Sequence, residues 1–300
     1  MNHEPSGYHS GFVAIVGRPN VGKSTLLNKI LGQKVAITTH KPQTTRNRIL
    51  GIYHRPDGQI LFLDTPGIHR GEGKLNRYMV DQALSACREV DAVLFLVEAT
   101  DRPGGGDDFI LQQLSNAKAP VILVINKIDL LAKEELLPLI DIYRNKFEFE
   151  AIIPVSAQTG NGLPGLLGTV FGLLPQGPHY YPEDMVTDLP ERFIVGEIIR
   201  EQVMLQIHDE IPYRVAVQID NFHEKPSQNI VVIQATIIVD RDSHKGILIG
   251  KGGNRIRALG QAARTEIERL LGTRVFLELF IKVQKNWTDS ERLLKEFGYQ

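Results

Sequence analysis

Cysteine is almost missing from this sequence: Cys87 is the one thiol in 300 residues. A single thiol excludes an internal disulfide framework and any zinc site built on cysteines. Long apolar runs are missing as well. Ala92 to Val97 and Val121 to Ile125 are among the longest, far short of the roughly 18–20 residues that span a bilayer. The first ten residues, MNHEPSGYHS, lack both a basic start and an apolar middle. No signal peptide is expected, and the chain reads as cytoplasmic. Nor is there an excess of charge: 34 Lys and Arg stand against 35 Asp and Glu, a formal net of −1. Summed over the whole chain, that balance argues against a nucleic-acid binder, which is usually basic.

What is present divides in two, as a chain of this length suggests. In the first 175 residues short apolar runs alternate with amphipathic stretches. Runs 12–16, 60–63, 92–97, 121–125 and 151–155 read as buried parallel strands, and 46–53 as a further, antiparallel edge strand. Helices are expected at 23–32, 74–90, 107–117, 133–147 and 162–174. This alternation predicts a doubly wound α/β domain with its ligand beyond the carboxyl ends of the strands. Two prolines and a glycine between Leu174 and His179 mark a linker, set at 176–190. The order αββααβ follows: helix 191–206, strands 213–221 and 229–240, helices 243–250 and 254–271, strand 274–284. A tail helix is expected at 289–297. The chain is therefore divided as 1–175, 176–190 and 191–300.

Gly17-Arg18-Pro19-Asn20-Val21-Gly22-Lys23-Ser24 follows the first strand and opens a helix. It fits the phosphate-binding pattern G-x-x-x-x-G-K-[ST]: backbone N–H groups and a helix N-terminus face the phosphates, with Thr25 next in line. Lys23 is expected to reach the β- and γ-phosphates and Ser24 to ligate Mg²⁺. Asp64-Thr65-Pro66-Gly67 ends the strand 60–63. There Asp64 is placed to hold Mg²⁺ through water, and the Gly67 amide to sense a γ-phosphate. Asn126-Lys127-Ile128-Asp129 ends the strand 121–125. A carboxylate at Asp129 pairs with the N1–H and N2 amine of guanine, donors that adenine lacks, so GTP is expected over ATP. Ser156 and Ala157 would close the base pocket.

These motifs, with the Thr-bearing loop Pro42-Gln43-Thr44-Thr45-Arg46, resemble the Era/EngA/TrmE branch of translation-factor-type P-loop GTPases. The resemblance implies that a switch threonine completes Mg²⁺ coordination when GTP is bound. Thr45 is the better match and Thr44 the alternative. Signalling GTPases often carry a glutamine after D-x-x-G to orient water; here Ile68 and His69 follow. The resemblance implies slow hydrolysis helped by K⁺, with Asn20 as the potassium ligand. His69 as a general base is the alternative.

In the second half the balanced charge comes apart. Residues 181–240 hold 4 Lys and Arg against 11 Asp and Glu; residues 241–285 hold 10 against 4. The basic stretch contains Ile249-Gly250-Lys251-Gly252-Gly253, followed by Arg255, Ile256 and Arg257. Two helices meeting at a turn almost bare of side chains let a nucleic-acid backbone approach a helix N-terminus. The turn matches the GXXG loop of KH domains, and the element order matches a type II KH fold. An apolar groove of Ile247, Ile249, Ile256 and the strands is expected to take about four unpaired bases. Trp287 is read either as a base-stacking ring or as packing for the tail helix, and Arg264 and Arg269 as partly solvated charges.

The two halves together are similar to the Era family of ribosome-associated GTPases. The likeness extends through His179–Asp184, Glu197–Glu201 and Glu210–Tyr213. It implies a GTPase that uses GTP or GDP and Mg²⁺, and a monomer is expected. It also implies binding to the 16S rRNA 3′ region and action on the small-subunit (30S) precursor. An RNA-binding scaffold with structural nucleotide, and a regulator peripheral to the membrane, are the alternatives.

Overall fold

The computed structural model describes residues 7–299. The segment 1–6, most of the stretch read for a signal peptide, lies outside the described residues. The chain forms two compact units. The first comprises residues up to Ala36, Thr45–Gly71 and Met79–Asp188; the second comprises Ile37–Thr44, Glu72–Tyr78 and Leu189 onward. Among the described residues no helix is long and apolar enough to cross a membrane.

The first unit is a six-stranded sheet in the order β2-β3-β1-β4-β5-β6. Its strands are β1 (His9–Gly17), β2 (Ile49–Arg55), β3 (Gly58–Asp64), β4 (Ala92–Glu98), β5 (Val121–Asn126) and β6 (Ala151–Pro154). All neighbours run parallel except β2, which lies antiparallel on β3 as an edge strand. The expected edge strand at 46–53 is thus real but shifted to 49–55. The helices are α1 (Lys23–Leu31), α2 (Lys74–Ala86, of which Met79 onward belongs to this unit), α3 (Gly105–Leu114), α4 (Lys133–Arg144) and α5 (Leu163–Leu173). Near-continuous apolar strands need cover on both faces, and β1, β3, β4 and β5 are buried almost throughout. One core cluster joins Val16, Leu61, Phe95, Val97, Ile110, Leu123 and Tyr143. Cys87 belongs to it, and burial pushes its thiol up to about 12, so it is inert.

Helices end earlier than their apolar period suggests. The helix expected at 74–90 stops at Ala86 and that at 133–147 stops at Arg144. By contrast α3 begins two residues early, because the Asp107 carboxylate accepts from Gly104 N at its start. The stretch read as a linker is laid along β2 and β3 of the first unit. Ile52 N donates to Val186 O at 2.8 Å, the Thr187 hydroxyl donates to Leu50 O at 2.6 Å, and Tyr180 N donates to Gln59 Oε1 at 3.0 Å.

The second unit is built on α6 (Glu191–Gln206), β7 (Val215–Lys225), β8 (Ile230–Val239), α7 (Asp242–Ile249), α8 (Asn254–Leu271) and β9 (Arg274–Val283). This is the expected αββααβ order. The sheet runs β7-β8-β9, with β7 antiparallel and β9 parallel to β8. Val195, Ile199, Ile233, Ile237, Leu248, Leu259, Ala263 and Ile267 form its core. The tail helix α9 is short, Glu291–Glu296, and Ser290 caps it. Trp287 is fully buried. It stacks on Tyr299 with centroids 5.9 Å apart and donates from Nε1 to Arg214 O at 3.0 Å. Its base-stacking alternative is thereby excluded; it packs the tail.

Two pieces of the earlier chain also belong to this unit. Thr38 N donates to Glu201 Oε1 at 2.8 Å, the Lys41 ammonium donates to the carbonyls of Met204 and Ile207, and Arg200 donates to Thr44 O. Lys74 pairs with Glu291 at 2.9 Å, and Tyr78 meets Tyr299 edge-on.

Candidate functional site: a phosphate-binding corner and a groove behind a glycine turn

In the first unit β1 lies between β3 and β4, so the strand order reverses beside it and a crevice opens beyond its carboxyl end. The loop from Gly17 to Gly22 fills that position. Gly22 has φ +97°, and a Cβ there would lie 2.2 Å from Asn126 Nδ2. A side chain is therefore excluded by both backbone and space. Lys23 is buried, and its ammonium donates to Arg18 O at 2.8 Å and Gly17 O at 3.2 Å, curled over the loop. Burial lowers it to about 8, against the pull of Asp64. Asn20, exposed at φ +66°, stands on the same loop. The Arg18 side chain turns instead to Asp107 and Asp101, at 2.8 and 3.0 Å.

Three oxygens converge beside Lys23. Ser24 Oγ donates to Asp64 Oδ2 at 2.6 Å and lies 2.8 Å from Thr45 Oγ1. This distinguishes the two threonines: Thr45 is buried against Ser24, whereas the Thr44 hydroxyl donates to Lys41 O at 2.7 Å. Asp64 is fully buried, and its Oδ1 has no hydrogen-bond partner. Burial pushes its carboxyl up to about 6, against Lys23 and the Ser24 hydroxyl. A buried carboxylate with one oxygen bare and the other bonded to Ser24, whose hydroxyl in turn meets that of Thr45, is a hard-oxygen set suited to a divalent cation that keeps waters and takes phosphate oxygens. Mg²⁺ fits, with Ser24, Thr45 and Asp64 to hold it. Thr65 donates to Ile15 O at 2.8 Å, anchoring the turn, and Ile68 N donates to Gly17 O at 3.1 Å. His69 Nδ1 lies 3.2 Å from Gly67 O, and Ile68 is buried.

Asn126 is itself buried and both ends of its amide are taken. Nδ2 donates to Val21 O at 2.8 Å, and Oδ1 accepts from Ala157 N at 2.9 Å. It therefore ties the phosphate loop to the Ser156–Ala157 loop and acts as a positioning residue. Lys127, at φ +66°, pairs with Glu98 at 2.5 Å. Asp129 stands exposed in the single turn Ile128–Leu130, at the same end of the sheet. Ser156 is buried, its hydroxyl accepting from Thr159 N at 3.1 Å.

In the second unit α7 ends at Gly250, and the turn through Gly253 leads into α8. Gly252 and Gly253 have φ +61° and +75°, a left-handed pair that keeps the corner bare of side chains. Lys251 is exposed. Arg255 folds back, donating to Ile247 O at 2.9 Å, and Arg257 donates to Asn254 Oδ1 at 3.3 Å. Behind the turn lies a groove of about 650 Å³. Gly253, Ile256, Arg257, Gly260 and Arg264 form one wall, and Phe276, Leu277 and Leu279 the other.

The expected groove residues need correction. Ile256 lines it, but Ile247 and Ile249 do not; they close the last turn of α7. Arg264 belongs to the groove rather than to a merely solvated face, whereas Arg269 is exposed and paired with Glu266 at 2.7 Å. The signal for Gly260 and Arg264 was the helical period: they follow Ile256 at four-residue steps along one face of α8.

Known proteins carry the same combination. Residues 12–127 match the family described as 50S ribosome-binding GTPase, and residues 210–288 match the KH domain family. The chain is therefore a P-loop GTPase with a KH domain. A protein named GTPase Era from Geobacter metallireducens is 56% identical over 97% of this chain and 98% of its own. Its namesake from Geotalea uraniireducens is 57% identical over 98% of each. This chain belongs to the GTPase Era family. Among solved structures it is similar to Era in complex with MgGDPNP and nucleotides 1506–1542 of 16S ribosomal RNA. There the TM-score is 0.94 and identity 43%, covering 97% of this chain and 99% of that one. It is similar also to a point variant of Aquifex aeolicus Era bound to GDP.AlF4-, with TM-score 0.92, 42% identity and the same coverage.

Proposed function

We propose that this protein is a GTP-hydrolysing switch that binds the 3′ region of 16S rRNA through its KH domain and acts in assembly of the 30S subunit. It works in the cytoplasm as a monomer. The carrying observation is the oxygen cluster of Ser24, Thr45 and Asp64, with its bare Asp64 Oδ1. Mg²⁺ supplies charge for the transferred phosphoryl group, Lys23 faces the phosphates, and Asp129 reads guanine. The groove behind Gly250–Gly253 takes the RNA strand. The solved relative with MgGDPNP and the 16S segment supports both halves of this reading.

Coupling is part of the proposal. Thr44 belongs with the KH-bearing unit and Thr45 with the nucleotide-binding unit. A switch that orders Thr45 round Mg²⁺ therefore pulls on a stretch fastened to α6 by Thr38, Lys41 and Thr44. The test is RNA affinity with GDP and with a non-hydrolysable GTP analogue bound. Different affinities are expected; equal ones refute the coupling, and no binding in either state refutes the RNA reading.

Hydrolysis is slow and is stimulated by K⁺ held at Asn20, because a buried Ile68 stands where a water-orienting glutamine would. Turnover compared in KCl and NaCl, for wild type and Asn20→Ala, decides this. A K⁺ advantage lost in the variant is expected; equal rates in all four conditions refute it.

A further inference from the structure

We propose that the outer face of β9 is a second RNA surface, on which Phe276 and Phe280 stack the bases of single-stranded RNA leaving the groove. The proposal rests on the RNA-binding reading above.

Along β9 side chains alternate between faces. Val275, Leu277, Leu279 and Ile281 turn inward and join or pack on the core. Arg274, Phe276, Glu278, Phe280 and Lys282 share the opposite face. The two rings are 49% and 52% exposed, the largest apolar exposures in this unit among the described residues. Phe276 stands beside Val232 and Phe280 beside Thr236 on β8, so both rings sit over the same sheet face. Four residues of strand separate them by about 13 Å. Glu278, between them, is held down by Gln234, which donates to it at 2.7 Å. Arg274, which donates to Gln228 O at 2.9 Å, and exposed Lys282 flank the pair on the same face and supply positive charge there, set against Asp220, which accepts from Thr236 at 2.7 Å.

Two observations select RNA as the occupant. Phe276 is also a wall of the groove, so the surface continues directly from it. The groove itself holds about four bases, whereas the RNA in the similar solved complex spans nucleotides 1506–1542. A strand longer than the groove that leaves it past Phe276 runs onto this face. Aromatic rings displayed on a sheet face, with cations beside them, stack bases with little dependence on sequence.

The test uses the full chain and the RNA segment 1506–1542. Phe280→Ala lies outside the groove and is expected to weaken binding about tenfold, with an unchanged melting temperature. Phe280→Trp is expected to bind as wild type, and its added fluorescence to be quenched by RNA. Phe280→Leu keeps apolar area but loses the ring, and is expected to behave as the alanine variant. Wild-type affinity in Phe280→Ala, or an unquenched Phe280→Trp, overturns the proposal. So does a change of oligomeric state on Phe280→Ala, since the face would then be a contact between copies. Failure of the wild-type chain to bind this RNA would instead be failure of the parent reading.

Discussion

The corner of the first unit consists of buried polar atoms, while the groove of the second consists of exposed apolar and basic ones. At the corner Lys23, Ser24, Thr45, Asp64 and Asn126 are withdrawn from water, and almost every one of their polar atoms has a partner. The exception, Asp64 Oδ1, is where a cation fits. In the groove Arg257, Arg264 and Phe276 are exposed. The turn beside it works by having no side chains. Chemistry on a phosphate requires fixed charges in low dielectric, where each is worth far more than in water. Gripping a flexible strand requires access, stacking surface and screened positive charge, each contributing modestly. Single changes should therefore be severe at the corner and graded in the groove.

That contrast can be broken from its strong end first. Lys23→Ala removes the buried cation proposed to face the phosphates and should cut GTP turnover at least 100-fold. RNA affinity without nucleotide should stay near wild type, and a parallel collapse of RNA binding would erase the distinction between the sites. On the proposed reading, Asp129→Asn removes two charge-assisted bonds to guanine of about 1.5–3 kcal/mol each, so GTP affinity should fall at least 100-fold with ATP affinity unchanged, measured by calorimetry.

The next effects are smaller. Gly252→Asp adds a side chain where φ is +61° and puts an anion beside the RNA backbone. RNA affinity should drop more than tenfold, with GTP turnover retained. Acidification tests the bare carboxylate of Asp64. Its protonated form, which cannot hold Mg²⁺, takes over as pH falls through about 6, so the Mg²⁺ needed for half-maximal turnover should rise about tenfold per pH unit below that. A flat Mg²⁺ requirement from pH 7 to 5 would remove Asp64 from the metal site. The mildest prediction concerns Arg264→Ala. It should weaken RNA binding by a few-fold and reduce the slope of log affinity against log salt by just under one, since one phosphate contact is lost.

Most of the corner is legible in the order of residues alone. Phosphate chemistry needs particular residue types at fixed short spacing after a strand, and Gly17–Ser24, Asp64–Gly67 and Asn126–Asp129 each lie within a few residues of a strand end. What spacing leaves open are the choices between neighbours. Thr44 and Thr45 are alike in sequence, and only the direction of each hydroxyl separates them. Asn126 reads in sequence as part of the guanine pocket; that its amide also binds two loops together is visible only in the fold.

The groove is less legible for a physical reason. The turn is local, so GKGG announces it. The walls come from α8 and β9, and which residues face each other across that gap depends on packing. Ile247 and Ile249 have the right apolar character but sit on the helix before the turn. Phe276 and Phe280 read as ordinary strand residues, and only the register on β8 turns both to the open face.

The sequence by itself determined the two domain types, the nucleotide chemistry and the place of the glycine turn, because each is encoded in contiguous residues whose backbone and side-chain demands are local. Its near-zero net charge concealed a basic stretch at 241–285, which segment-by-segment counting exposed. Only the tertiary structure decided that Asp64 keeps a bare oxygen, that Trp287 packs the tail, and that residues 37–44 belong with the second unit. Those outcomes depend on burial and on partners distant in the chain, which no local pattern encodes.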